Sequence, residues 1–427
     1  MPLKTRTTVH KDGGQWWLVA LLLFSMLTEG LVIPVFGRAP NLSLFDLLFP
    51  PIFLYLLIRD VLGNVHVRFP DKWILFLGIA YFMAHLLSML VNYLDILRGV
   101  VAIKIFVFGF LMYWVVAATV RSKPALERAT SSLVFWGAIM AIVLIARFLA
   151  EWSSTVQGNY EIKDQIELTD WARSNYLAAL LVPIVPIAVG SSFAKSGFAR
   201  FAMIMAAAAM SFGLLITMSK GAILSLFLGS LCAIPVLRQC GMKMRHLAIL
   251  LVCIVAFLLI VPTDLISANY DLAVYRAGNP DFNRLDLWRV AWQQFLKNPI
   301  LGVGPYCIYI YNQQFANGDL YSHNFILNAL ADLGLTGAIP FFAIVWIVIR
   351  RSYTSCKAAA KYSTPLRWMP AGLFIGLTAT LFHGMVEPTF QGREYSVIFW
   401  VCACLIYLYD PRKSSALYSM ASPHAAR

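Results

Sequence analysis

The chain has 427 residues, 60% of them hydrophobic and 13% charged, with a mean hydropathy of +0.71. That composition excludes a soluble globular domain and puts the chain in a bilayer. The net charge of +13 would suit a nucleic-acid binder, so the placement of the 34 Lys and Arg residues has to decide.

Twelve apolar stretches are long enough for a hydrocarbon core about 30 Å thick. The first, residues 16–36, follows Lys4, Arg6 and Lys11. It is too long for a signal-peptide core and lacks a small-residue cleavage site, so it is expected to stay in the protein. Further spans are expected over residues 44–58, 73–91, 100–120, 131–150, 176–192, 201–218, 222–237, 247–261, 325–349, 370–386 and 395–409. With the N-terminus inside, the cytoplasmic segments hold 22 Lys and Arg and everything else holds 12. This asymmetry follows the positive-inside rule with both termini cytoplasmic, so the excess charge is a topology signal and no nucleic-acid partner is expected. The expected fold is an all-α polytopic membrane protein of about 12 transmembrane helices. Helices 1 to 9 occupy residues 1–262, an outward (periplasmic) loop subdomain residues 263–323, helices 10 to 12 residues 324–410, and a cytoplasmic tail residues 411–427.

Of the seven cysteines only Cys307 falls in an outward loop, so no disulfide framework is expected there. Cys402 and Cys404 sit two apart on a helix and point to different faces, which argues against a metal site. Most connections are short, as between antiparallel neighbours. Two are longer. Residues 151–174 form an acidic and polar outward loop, and the loop that ends at Ser322 has about 60 residues, a length that is usually functional. Within the longer loop, residues 283–298 read as a helix, with Asn283 as N-cap, Asp286 three residues on and Pro299 past the end. Leu285, Trp288, Trp292 and Phe295 recur at spacings of three and four. That apolar stripe suits packing on the bundle or a place in the membrane interface.

Charge at the edge of a membrane is costly, so ionisable residues near the outer helix ends are the first functional candidates. They are mostly cations. Arg98 and Lys104 lie on the outer half of the fourth span, roughly 9 Å apart along the axis. Arg147 is near the outer end of the fifth span, Lys220 between the seventh and eighth, and Arg276, Arg284, Arg289 and Arg393 are in outward loops. Something anionic should compensate them. A pyrophosphate-bearing lipid would do so for the group. Individually, each can snorkel to the phosphates of membrane lipids or pair with Asp264, Asp271, Asp281, Asp286, Asp332 or Glu387.

The histidines sort by the same topology. His10, His66, His246 and His424 are cytoplasmic, while His85 and His383 lie inside helices, where a polar residue more often hydrogen-bonds in the packing. His323 ends the long outward loop in Tyr321-Ser322-His323-Asn324, with Ser322 or Asn324 available as the cap of the tenth span. The positive end of that helix favours a neutral imidazole, the form that works as a general base near pH 7.

Residues 284–337 resemble the signature region of the O-antigen ligase and polymerase superfamily. The pattern runs Arg, Trp, Pro-x-x-Gly-x-Gly, a gap, His-Asn, Leu and Gly-x-x-Gly. Arg284, Trp288, Pro299, Gly302, Gly304, His323, Asn324, Leu327, Gly334 and Gly337 supply it in that order. Upstream, Ser174-Asn175-Tyr176-Leu177-Ala178 is similar to the family's Asn-x-x-Ala helix start. Where the family commonly shows Ser-Arg-Gly, this chain has Ser219-Lys220-Gly221. Lysine keeps a point charge and lacks the bidentate fork.

The resemblance implies a glycosyltransferase of lipopolysaccharide biosynthesis in the inner membrane. It would take a glycan from undecaprenyl pyrophosphate at the periplasmic face and transfer it to an acceptor hydroxyl. For a ligase the acceptor is the lipid A core oligosaccharide. Arg284 and His323 would be catalytic, His323 as base, with Lys220, Arg147, Arg98, Lys104 and Arg289 as a cationic cradle for the pyrophosphate. Single displacement would invert the anomeric centre. The first outward loop, residues 37–42, holds no carboxylate, so neither a metal nor any other cofactor is expected, and cationic side chains would replace the metal. A polymerase or a protein O-oligosaccharyltransferase would share the signature. Polymerases tend to carry two large outward loops, and the single loop of about 60 residues here favours a ligase. A secondary transporter fits the span count, but neither related halves nor broken midplane helices are visible in the sequence.

Overall fold

The computed structural model describes residues 15–28, 43–62, 69, 71–155, 174–217, 219–243, 284–312, 321–362, 364–387 and 389–412. Among these residues every regular element is a helix. They are α1 (Trp16–Ser25), α2 (Leu44–Leu62), α3 (Lys72–Asn92), α4 (Ile96–Thr119), α5 (Lys123–Thr155), α6 (Ser174–Ala194), α7 (Gly197–Ile216), α8 (Lys220–Gln239), α9 (Arg284–Lys297), α10 (Ile308–Asn312), α11 (Phe325–Ala359), α12 (Trp368–Gly384) and α13 (Arg393–Leu408).

The chain is a polytopic helical membrane protein. Seven helices are long and apolar enough to cross a bilayer, namely α3, the Lys123–Leu149 part of α5, the Tyr176–Ala194 part of α6, α4, α7, α8 and α11. The other five expected spans are shorter, more charged or outside the described residues. Helix α1 has 10 residues, and α12 and α13 have 17 and 16. Helix α2 has 19 residues but carries Asp46, Arg59 and Asp60. Residues 247–261, the expected ninth span, lie outside the described residues, as do most of the expected loop subdomain and the tail after residue 412.

Local chemistry sets several helix ends. The Asp71 carboxylate accepts from the N–H groups of Trp73 and Ile74 and caps α3, and Asp95 accepts from Arg98 N and caps α4. Between them Tyr93 turns the chain in a left-handed conformation, φ 52°. Helix α12 packs against both α6 and α8, α13 against α4, and α11 against α3. Gly372 and Gly376 of α12 lie so close to the backbone of α6 at Pro186 and Pro183 that a Cβ would collide with those carbonyls. Small residues at crossings are how membrane helices gain packing without a hydrophobic drive.

Charged pairs gather at the two ends of the bundle. At one end Asp60 meets Arg59 and Arg121, Asp71 meets Arg351, and Asp410 meets Arg412. At the other, Asp46 joins Lys104 and Arg393, Asp95 joins Arg98, and Glu387 joins Arg284 and His323. The second end carries the candidate site.

Candidate active site

The signature glycines form a joint between the loop and a broken helix. Helix α11 is interrupted at Gly334, whose backbone adopts φ 59° and ψ −161°. In a continuous helix the N–H groups of Leu335 and Thr336 would bond the carbonyls of Ala331 and Asp332. Here they donate to Pro299 O at 2.8 Å and Ile300 O at 3.1 Å, and the vacated carbonyls accept from Val303 N at 2.9 Å and Gly304 N at 3.0 Å. The helix break therefore costs no buried hydrogen bond, because the loop exchanges partners with it. Gly302 and Gly334 permit this approach. A Cβ on the first would collide with the Asp332 carbonyl, and on the second with Ile300 O. Ser88 of α3 locks the joint by donating to the carbonyls of Leu301 and Asp332. The Asp332 carboxylate accepts from Ile308 N at 2.9 Å, at the start of α10.

His323 sits at the head of the shorter half of α11. Asn324 is the cap, its side chain accepting from the N–H groups of Ile326 and Leu327. His323 itself has φ 51°, an uncommon left-handed conformation for a side-chain-bearing residue. Its neighbour Ser322 is held on three sides. Trp288 Nε1 donates to Ser322 O at 2.9 Å, and the N–H and hydroxyl of Ser322 both donate to Asn328 Oδ1, at 3.1 and 2.6 Å.

Glu387, three residues past the end of α12, bridges the two expected catalytic residues. Its Oε2 lies 3.2 Å from His323 Nδ1, and its Oε1 accepts from Arg284 at 2.9 Å. The carboxylate is nearly enclosed, with its side chain 10% exposed, while Arg284 is 47% and His323 29% exposed over it. Burial pushes the Glu387 pKa up, but the His323 hydrogen bond and the charges of His323 and Arg284 outweigh it and hold it below the ordinary carboxylate value. An ionised carboxylate only accepts, so Nδ1 is the donor, and in the singly protonated tautomer the lone pair is then on Nε2. This is the arrangement that orients a histidine base.

The sequence pointed to cations around His323, and the structure gives it a carboxylate as well. Glu387 is named from the sequence only as one of several possible cation partners. The available signal was its place in an outward turn at the end of a span, four residues after His383. His383 is fully buried, and neither ring nitrogen has a hydrogen-bond partner among the described residues.

The remaining expected cations divide. Lys220 is the first residue of α8, exposed, and makes no ion pair or hydrogen bond among the described residues. The next residue, Gly221, abuts Val386 and His383, so the start of α8 adjoins the segment that carries Glu387. Arg98 pairs with Asp95, donates to the Tyr321 hydroxyl and stacks 3.7 Å over the Tyr309 ring, so it touches the stretch leading to His323. Lys104 instead joins Asp46, which also takes Arg393 at 2.9 Å. Arg289 pairs with Asp286 one turn away on α9. Arg147, half-buried near the end of α5, forms no ion pair among the described residues, and Arg276 lies outside them. His323 and Arg284 are thus brought together, with Lys220 and Arg98 nearby, while Lys104 and Arg289 have carboxylates of their own.

Among the described residues no group of three His, Cys, Asp or Glu side chains is placed to hold a metal ion. The site offers a base nitrogen, a guanidinium beside it and a free ammonium close by. Chemically that suits removing a proton from a hydroxyl while negative charge builds on a leaving group.

Residues 205–342 match the family described as O-antigen ligase. No curated protein matches the chain. The matched stretch includes Lys220, Arg284, His323 and the glycine joint, so these residues lie in the part of the chain that is similar to the O-antigen ligase family. Members are glycosyltransferase-like enzymes of lipopolysaccharide biosynthesis, and the family suggests lipid-linked glycans as the substrate class. Glu387 lies beyond the match.

Proposed function

We propose that this chain is an O-antigen ligase. It would move an O-antigen glycan from undecaprenyl pyrophosphate to the lipid A core oligosaccharide at the periplasmic face of the inner membrane. The observation that carries this is the His323–Glu387–Arg284 contact. Its parts match what the reaction needs. His323 Nε2 takes the proton of the acceptor hydroxyl as that oxygen attacks the anomeric carbon. The bond from that carbon to the pyrophosphate oxygen breaks with inversion, and the leaving group keeps the electron pair. Arg284 and Lys220 stabilise the charge that appears there, with Arg98, Arg147, Lys104 and Arg289 contributing at longer range. Glu387 holds the imidazole in the base tautomer. No metal is required for any of these steps.

Twelve spans with both termini in the cytoplasm would put this end of the bundle outside, where the donor's glycan is displayed. Deleting the gene and separating the lipid-linked and surface glycans tests the assignment. Full-length polymer stranded on undecaprenyl pyrophosphate is the expected result. Accumulation of single repeat units would instead make the chain a polymerase, and loss of glycan from proteins alone a protein O-oligosaccharyltransferase.

A further inference from the structure

Helix α9 has three sides. Leu287, Val290, Ala291 and Gln294 are buried, on the side that packs against α11. Asp286, Gln293 and Lys297 form a polar flank. The third side is apolar and uncovered, with Leu285 and Leu296 each 60% exposed and Trp292 46%. A helix whose only task was to cap the bundle would not leave Leu285, Trp292 and Leu296 outside on one face.

The direction in which that stripe continues identifies what covers it. Just past the helix end Ile300 is 65% exposed, and its carbonyl is bonded to Thr336 of α11 while Pro299 O is bonded to Leu335. Leu335, Ile339 and Trp346 are exposed along α11, one of the helices able to cross a bilayer. Their spacings of four and seven keep them on one flank. The exposed stripe of α9 therefore continues toward an exposed apolar flank of a helix long and apolar enough to cross a bilayer. Arg289 lies within the stripe, 68% exposed, on a stem long enough to reach a phosphate.

We propose that α9 is an interfacial helix, with Leu285, Trp292, Leu296 and Ile300 seated in the bilayer boundary and Arg289 at lipid phosphate. Membrane lipid is then the third wall of this element, beside α11 and water. Its seating fixes the height of Arg284, the first residue of the helix, at the phosphate level of the leaflet. The proposal rests on no catalytic assignment, so it can stand or fall independently of the ligase reading.

Nitroxide labels test it on the whole protein in phosphatidylethanolamine and phosphatidylglycerol liposomes. They are placed singly as Leu285→Cys, Trp292→Cys, Leu296→Cys and Gln293→Cys, with Cys232 and Cys253 replaced by Ser. The other native cysteines are buried. All four labelled positions are exposed, and among the described residues only Trp292 of these has a ring contact, with Phe295 on the same helix. Collision with oxygen should exceed collision with a water-soluble nickel chelate several-fold at 285, 292 and 296, and the order should reverse at 293. Nickel-dominated collision at the three stripe positions would put the face in water and overturn the proposal. Immobilised labels shielded from both reagents would mean that protein covers the face, from a second copy or another part of this chain, and would equally overturn it.

Discussion

Glu387 Oε2 lies 3.2 Å from His323 Nδ1, across 64 residues of sequence. The contact makes the role of the histidine testable separately from its presence. His323→Ala should fold and bind donor almost normally, since the ring is partly exposed, and should lose roughly 10²- to 10⁴-fold in turnover at saturating donor, the usual range for a general base. Glu387→Gln keeps the shape but leaves Nδ1 free to become the acceptor. It should lose a comparable factor through the wrong tautomer. A well-folded variant of either kind with wild-type turnover would rule out the base assignment.

The Glu387 charge also gives a pH signature. A carboxyl held below its ordinary value stabilises the folded state fully above the unfolded-state value, about 4.3 for Glu, and loses that contribution as pH falls through the native value. The difference in Tm between wild type and Glu387→Gln should therefore stay constant from about pH 8 to about pH 5.5 and close below about pH 4. A gap that narrows between pH 8 and 6 would contradict the carboxylate assignment.

Arg284 is expected to act through its fork. Arg284→Lys keeps the charge but cannot hold Glu387 and a phosphate oxygen in the same plane, and should cost about 1.5 to 3 kcal/mol of transition-state stabilisation. Steady-state kcat/KM with a lipid-linked donor measures it. Near-normal turnover in Arg284→Ala would remove the residue from the mechanism.

The glycine joint predicts a structural failure. Gly334→Ala must put a side chain at φ 59° and a Cβ against the carbonyl of Ile300. The conformational part alone costs about 1 to 3 kcal/mol, because φ 59° with an extended ψ is a region that essentially only glycine adopts. Thermal unfolding in detergent should show a lower Tm, whereas Gly197→Ala, also at positive φ but with open space around it, should be milder. Equal effects would mean that the close approach of loop and helix is not needed.

Metal independence is expected because residues 37–42, read from the sequence as the first outward loop, hold no carboxylate. Purified protein stripped with EDTA should transfer glycan at an unchanged rate with no divalent ion added. Activity lost in EDTA and restored by magnesium or manganese would refute it.

The long spans were legible because an uninterrupted apolar run of that length has few other uses. Helix α9 was legible too, from its turn residues and the spacing of three and four, but its buried side was not. Periodicity selects the large residues Leu285, Trp288, Trp292 and Phe295, whereas the contact with α11 is made through Leu287, Val290, Ala291 and Gln294. Small side chains let two backbones approach, which leaves Leu285 and Trp292 exposed while Trp288 turns inward to Ser322. His323 and Arg284 could be found from local pattern. Glu387 could not, because its meaning depends on two partners 64 and 103 residues away and no local spacing encodes that. The same holds for Asp46, which looked like part of a plain span and is buried between Lys104 and Arg393.

The exchange of backbone partners at Gly334 alters which part of the molecule His323 belongs to. Residues 325–333 are continuous in sequence with a membrane-crossing shaft, yet at the break their free carbonyls are satisfied by the loop that follows α9. Mechanically the histidine is mounted on the loop, and the shaft is only its foundation. Tilting or sliding of the shaft reaches the imidazole through four crossed backbone hydrogen bonds, and any such movement must carry the loop and Arg284's helix with it. His323 and Arg284 are therefore geared to move as one piece.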